Sequence, residues 1–448
     1  KQKEIVTSML SRLKRLTLKR SNVSLNPKFK TNIYNGVALA ISVNLVNPYF
    51  AKFAERLGAD AYQIASINSL PAFFSLFALI PGAIFLDVFG NKQKNTTLLM
   101  LVHKFFYLCI ALVPFMASVS QPWVFVILIA LMNLPGSIYT IGYQSCIGDI
   151  FTPTERGQAM SLRNKYSDLF RLLITFSSGV LLSIPKKSTD IIIMYQFFFL
   201  ISFLVGLVEV YTFAQFSDKP ILSLFKINKK SDANHNKSLT AVKKALSESL
   251  RFMLSNSNFK KFMLASLLFQ FGWQMGWPLF NIYTITKLGA NEAWLSAISI
   301  AGGLTSILTA THWARFADRY GYTLAAFIAT FGMSITPFLY VLSESLLMLV
   351  LFNLLIGFSI TGTVLVLFNL LLETTPTQNR TTIIAIYNTI VALSATITPL
   401  LAVWIMDVTS LNASLIITGI FRFIGCFAFL FISGSLIKRN TNHHPSKP

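Results

Sequence analysis

The 448-residue sequence predicts an all-α membrane protein of twelve spans arranged as two six-helix halves. Three observations predict it. Hydrophobic residues make up 54% of the chain and charged residues only 12%, whereas a soluble domain is about a quarter charged. The apolar residues gather into about a dozen runs of roughly 20 residues, the length that spans a bilayer core. The second half of the chain also repeats the pattern of the first.

The elements follow in order. Residues 1–32 ("SRLKRLTLKR" within them) form a basic segment with no apolar core of its own, so it does not read as a cleaved signal. It suits a short amphipathic helix on an anionic membrane face. The first bundle, 33–216, holds spans near 33–54, 61–86, 96–118, 122–148, 158–184 and 190–214. The linker, 217–259, is polar at first ("KINKKSDANHNKS"). It then places Leu239, Val242, Leu246, Leu250 and Met253 at helical spacing, as a helix lying on the membrane face would. The second bundle, 260–437, holds spans near 260–284, 292–314, 323–342, 345–371, 382–406 and 412–436. A tail, 438–448, follows.

Charge sets the orientation. Most of the 38 Lys and Arg fall on segments that are cytoplasmic if both termini are. Lys52, Arg56, Lys186, Lys187 and Lys287 fall on the other side. The net charge of +21 is therefore a topology signal for a multi-pass protein of the cell membrane. The basic residues are dispersed over loops, which does not suit nucleic acid. Cys109, Cys146 and Cys426 all lie in spans and suggest neither a disulfide framework nor a metal site. No Walker loop, activated nucleophile or ligand cluster is present, so neither an enzyme nor a cofactor is expected.

The repeat is specific. "NPYFAKFAERLGAD" (47–60) matches "WPLFNIYTITKLGAN" (277–291), pairing Pro48 with Pro278 and Phe50 with Phe280. At nearly the same spacing Gly58 pairs with Gly289, Ser75 with Ser306, Asp87 with Asp318 and Gly90 with Gly321. Further on, Asp149 pairs with Glu373, Arg156 with Arg380 and Asn164 with Asn388. Consistent offsets of this kind mean a duplicated bundle whose halves share one orientation.

Twelve spans in two halves, with "DVFGNK" and "DRYGYT" after spans 2 and 8, resemble the major facilitator superfamily over nearly the whole chain. The family's loop motif has the form G-x-x-x-D-[RK]-x-G-[RK]-[RK]. The first copy keeps Asp87, Gly90 and Lys92, with Ala83 and Val88 in place of the usual Gly and Arg. The second keeps Asp318, Arg319 and Gly321, with Ala314 in the Gly place. A carboxylate at a helix end can face the positive N-terminus of a neighbouring helix. The resemblance implies that these loops, with Arg156 of "TPTER" and Arg380 of "TPTQNR", lock the halves on the cytoplasmic side. The chain also departs from the family. Met132 stands where many proton-coupled members carry Arg, and span 5 offers only Gly179 where drug antiporters carry a glycine-proline signature.

A substrate site in such a fold is expected near the midplane between the halves. On span 7, Gln270, Trp273, Gln274, Trp277 and Asn281 fall on one helix face. The repeat sets Asn44 opposite Gln274 and Asn47 opposite Trp277. Asn and Gln in spans also glue helices together, but two matching polar stripes at one depth favour a cavity. Tyr139 and Tyr143 on span 4 and Asn388 on span 11 are further candidates.

Span 5 carries "RNKYSDLFR". Asn164, Asp168 and Arg171 lie within about 60° of one face. Arg163 and Lys165 flank it and can snorkel, as can Lys104. Arg171 sits near the bilayer centre, where a charge costs roughly 2.5–3.5 kcal/mol, so this face must look into the bundle. Asp168 can pair with Arg171. The pair is either structural or a site for substrate and coupling. Arg422, in the middle of span 12, has no evident partner.

The sequence thus points to a secondary active transporter, a monomer in the bilayer, that moves a small molecule by alternating access with the proton as driving ion. A flippase or exporter of an amphipathic lipid-linked or anionic compound is the alternative. A transporter-like sensor or scaffold is a third reading.

Overall fold

The structure is a computed structural model, and it describes residues 27–88, 92–216, 246–376 and 380–440. Twelve long helices account for most of it. They are α1 (Pro27–Arg56), α2 (Ala61–Val88), α3 (Lys92–Ala111), α4 (Gln121–Ile150), α5 (Pro153–Ser183) and α6 (Ser188–Ala214), then α7 (Ser257–Ile282), α8 (Glu292–Tyr320), α9 (Tyr322–Leu342), α10 (Leu346–Thr374), α11 (Arg380–Val408) and α12 (Leu411–Asn440). Among the described residues, nine stretches are long and apolar enough to cross a membrane by composition alone. The others, α2, α5 and α7, complete the twelve. With an even number of spans, residues 27 and 440 lie on one side, here called the terminus side; the other is the far side.

The helices pack into two matching sets. In the first, α1 contacts α5 and α6, α3 contacts α4 and α6, and α2 contacts α4. In the second, α7 contacts α11 and α12, α9 contacts α10 and α12, and α8 contacts α10. The sets meet along α2–α11 and α5–α8. Single contacts repeat as well. Ser75 Oγ lies 3.3 Å from Ser137 Oγ between α2 and α4, and Thr361 donates to Ser306 Oγ at 2.8 Å between α10 and α8. Gly58 and Gly289, paired by the repeat, both adopt left-handed backbone, φ 89° and 66°, where a Cβ would be strained.

Proline shapes the path of the chain. Pro48, which has no N–H to donate, breaks α1 into a 3-10 turn at Asn47–Tyr49. Pro278 stays within α7, which instead loosens at its far end into a π-turn, Tyr283–Lys287. The linker's first part and Leu239 and Val242 lie outside the described residues. Residues 246–255 form a short helix whose Met253 is buried against the terminus-side core of the second set. Residues 1–26 and 441–448 also lie outside.

Buried polar groups tie each set together internally. Lys104 on α3 and Glu209 on α6 form an ion pair at 2.7 Å, with side chains 0% and 1% exposed. The sequence leaves Lys104 free to snorkel; packing instead closes it in, its stem lying against Gly206. Arg163 does not snorkel either. It is buried, stacks 4.7 Å above the Tyr143 ring and reaches Asn35 Oδ1 at 3.5 Å. Asn35 in turn donates to the Glu209 carbonyl, and Tyr143 and Asn32 bridge α4 to α1.

Arg422 finds its partners in backbone. It is fully buried and donates to the carbonyls of Gly272 (3.0 Å), Trp273 (3.1 Å) and Met333 (3.0 Å). The Met333 carbonyl is free because Pro337, four residues on, has no N–H to offer it. One helix-breaking residue thus supplies the acceptor that an intramembrane cation needs.

Removing one member of the buried ion pair leaves the other uncompensated, at about 3–5 kcal/mol in soluble precedents. Lys104→Met alone should therefore lower the melting temperature of the detergent-purified protein sharply. Lys104→Met with Glu209→Gln should recover most of the loss. A single variant as stable as the parent would show that the pair does not hold α3 to α6.

Candidate functional site

A cavity lies between the halves and has two adjoining chambers. One, about 590 Å³, is walled mainly by the first set: Asn47, Pro48, Asn68, His103, Tyr107, Asn133, Tyr139 and Thr140, with Trp277 and Asn281 from α7. The other, about 350 Å³, is walled by the second set: Phe280, Thr284, Ser306, Tyr340 and Asn353, with Arg171 from α5. Pro48, Trp277, Asn281 and Ser299 line both. The break in α1 at Pro48 turns Asn47 into the cavity, and Trp277, 42% exposed, projects into it from the equivalent position of α7.

The cavity is closed on the far side by contacts that cross the halves. Arg56 at the end of α1 grips Glu292 at the start of α8 with two bonds, Nε to Oε1 at 2.6 Å and Nη2 to Oε2 at 2.9 Å. Tyr195 on α6 donates to the same carboxylate at 3.1 Å. Glu292 is fully buried and occupies the first turn of α8, where the helix dipole also favours negative charge. One turn deeper, Ser296 donates to the Thr175 carbonyl at 2.7 Å. The approach is close because α5 has Gly179 there; a Cβ would sit 2.3 Å from Ser296 Cβ. Arg56 reads in the sequence as a topology charge; only the fold brings it to Glu292.

The structure gathers some of the expected site residues and separates others. Asn47, Tyr139, Arg171, Trp277 and Asn281 line the chambers. Asn44 turns its amide back onto the Ala40 carbonyl of its own helix. Tyr143 is buried against Asn32 and Arg163. Gln270 faces the Tyr387 hydroxyl, and Trp273 packs on Phe269 while its carbonyl serves Arg422. Gln274 is half-buried outside both chamber walls, and Asn388 is exposed on the terminus-side part of α11. The helix-face argument missed Asn68, Asn133 and Asn353. Asn68 was findable, because the repeat pairs it with Ser299. Asn133, which donates to the Pro71 carbonyl at 2.7 Å, has no such signal.

Asp168 and Arg171 do pair, Nε to Oδ1 at 3.3 Å, with side chains 42% and 34% exposed. Among the described residues this is the guanidinium's one hydrogen bond. Its terminal nitrogens lie against Gly303 of α8, at the chamber wall.

The contacts described for Arg156, Arg380, Lys92, Asp318 and Arg319 lie within their own halves. Arg156 bonds the carbonyls of Phe151 and Gly148, and Arg380 bonds that of Thr375. Each reaches back to the end of the preceding helix and ties its loop. Lys92 donates to Ser145 Oγ at 2.8 Å. Asp318 accepts from Tyr322, and Arg319 stacks over Tyr320. Gly321 takes φ 89°, so a glycine is required at that turn. Asp87 lies in the last turn of α2, and Gly90 lies outside the described residues.

Two like-oriented six-helix sets enclosing a central cavity define the fold of a polytopic membrane transporter. The chain belongs to the Major Facilitator Superfamily, whose model matches residues 35–305 and again 262–447. It is similar in structure to a POT family transporter solved with a thioalcohol-conjugated peptide (13% identity, 91% of this chain and 96% of that one, TM-score 0.68). The nucleoside transporter NupG is comparable (12%, 91% and 99%, 0.66). So is a bacterial homolog of the human lysosomal transporter Spinster, in an inward-facing and unoccupied conformation (14%, 92% and 98%, 0.64). No curated protein matches the sequence. Family and fold together make this protein a membrane transporter of small molecules.

Trp277→Ala and Asn281→Ala should weaken ligand binding at least about tenfold without loss of folded protein, since both side chains line both chambers. Gln274→Ala, on the same helix but outside the chambers, should leave affinity unchanged. Calorimetric titration with a transported compound checks this. Equal effects of all three variants would refute the cavity's boundaries.

Proposed function

We propose that the protein is a secondary active transporter that moves a small molecule by alternating access, coupled to protons, rather than an enzyme, sensor or scaffold. The observation that carries this reading is a cavity walled by both halves and locked at one end by Arg56, Glu292 and Tyr195. Exposure on the opposite side supports it. Thr140, Gln144, Asn164 and Asn388 are polar, lie toward the terminus side of α4, α5 and α11, and are exposed. Facing lipid would be costly for them, whereas a water-filled cleft would not. With cytoplasmic termini, as the basic loops favour, the described state opens inward. The substrate sits against Trp277 and Asn281, and rocking of 33–216 against 260–437 then exposes it to the far side.

Asp168 is the proposed proton carrier. It is a half-exposed carboxylate beside the chamber wall, held by a single contact to Arg171. Protonation breaks that contact and frees the guanidinium.

Two measurements test the reading. In a background with Cys109, Cys146 and Cys426 replaced by serine, a cysteine at Ser299 should react with an impermeant thiol reagent from the terminus side. Adding Glu292→Gln should raise labelling from the far side several-fold. Labelling that is the same from both sides with and without Glu292→Gln would rule out the lock. In proteoliposomes, a pH gradient should drive uptake by the parent, and Asp168→Asn should abolish that response.

A further inference from the structure

We infer that the cavity is built for an organic anion with an apolar or aromatic body, its carboxylate or phosphate held by Arg171. The inference rests on the transporter reading and names its substrate class. The argument begins with the charge balance of the spans. Lys104 is neutralised by Glu209, and Arg171 by Asp168. Arg163 and Arg422 are buried and, among the described residues, have no carboxylate within salt-bridge distance. Arg163 also keeps a buried Nε with no hydrogen-bond partner. Carbonyl dipoles solvate Arg422 but leave its charge uncancelled.

These two cations lie one in each half, Arg163 on α5 and Arg422 on α12. Arg422 stands 5.2 Å from the ring of Phe280, and that ring is itself chamber wall. No Asp or Glu lines either chamber. Low-dielectric walls focus the field of uncancelled positive charge into the cleft, which raises the potential there. A neutral or cationic ligand gains nothing from it; an anion does.

Arg171 supplies the point of contact. Asp168 holds its Nε, which fixes the plane of the guanidinium and leaves the terminal nitrogens at the wall. That free edge matches the two oxygens of a carboxylate or phosphate. The rest of the site suits an apolar body. Phe280 and Tyr340 lie with ring centroids 4.3 Å apart, and Trp277 is exposed across both chambers.

The test is a matched series on the purified full chain: 1-naphthylacetate, 1-naphthyl phosphate, 1-naphthylacetamide and 1-naphthylmethylamine, titrated calorimetrically in detergent at fixed salt. One or both anions should bind at least about tenfold more tightly than the amide and the amine. The better anion identifies the headgroup. Asp168→Asn with Arg171→Gln, neutral like the parent pair, removes the guanidinium contact and should cut the preference for the anion several-fold, the remainder being the field of Arg163 and Arg422; an undiminished preference would overturn the role given to Arg171. If that variant does not fold, the parent series alone decides the sign. Amide or amine binding as tightly as both anions would overturn the inference, and so would no binding of any of the four at millimolar concentration. Binding is read at equilibrium, so its failure is distinct from failure of the transporter reading, which the labelling experiment decides.

Discussion

A charge placed in an apolar slab must be answered by protein, because lipid chains cannot solvate it and the bilayer core holds no water. Much of the internal architecture follows from that constraint. Lys104 and Glu209 answer each other, and in doing so fasten α3 to α6. Arg422 has no acid within reach among the described residues and takes three backbone carbonyls instead, fastening α12 to α7 and α9. Such carbonyls are normally spent inside their own helices. Pro337 releases one of them, so the proline and the arginine form one device.

The duplication shows how freely the chemistry at one interface can change. The α3–α6 and α9–α12 contacts are equivalent by the repeat. One is held by an ion pair and the other by an arginine on a carbonyl. Where the two halves retain the same polar contact, it is a short one. Ser75 with Ser137 and Ser306 with Thr361 need only two small hydroxyls at matching depth. Long charged side chains have more possible partners, so they diverge while the backbone arrangement does not.

The fold was legible because its signals are local. Apolar runs give the spans, and Gly58 and Gly289 mark equivalent turns whose φ only glycine accepts at low cost. The site was legible in part. A helix-face argument groups Gln270, Trp273, Gln274, Trp277 and Asn281 on one azimuth. It does not say how the helix is rotated against its neighbours or which part of the stripe the cavity reaches. Trp277 and Asn281 reach it, whereas Gln270 turns to Tyr387. The pairing of Lys104 with Glu209 and of Arg56 with Glu292 joins residues remote in sequence, and no periodicity carries that information. Both Arg163 and Lys104 looked able to snorkel; neighbouring helices close over them.

The distribution of polar contacts bears on how the halves can move. Inside each half, ties run at several depths and between several helix pairs, from Tyr143–Asn32 to Arg422–Met333. Between the halves, the ties described here gather at the far end, within the first turns of α8. Separating that end breaks the Arg56–Glu292–Tyr195 cluster and the Ser296 bond, and it opens the apolar contact in which Ile282, Ile285, Leu295 and Val403 pack with the first half. Distorting a half internally would instead expose Lys104, Arg163 or Arg422 to an apolar medium, at several kcal/mol for each charge. The buried charges thus make each half stiff, and the concentrated lock leaves one place where the two can part. A cavity whose walls come from two stiff bodies, with the polar ties between them gathered at one rim, is the arrangement that rocking about a central ligand requires.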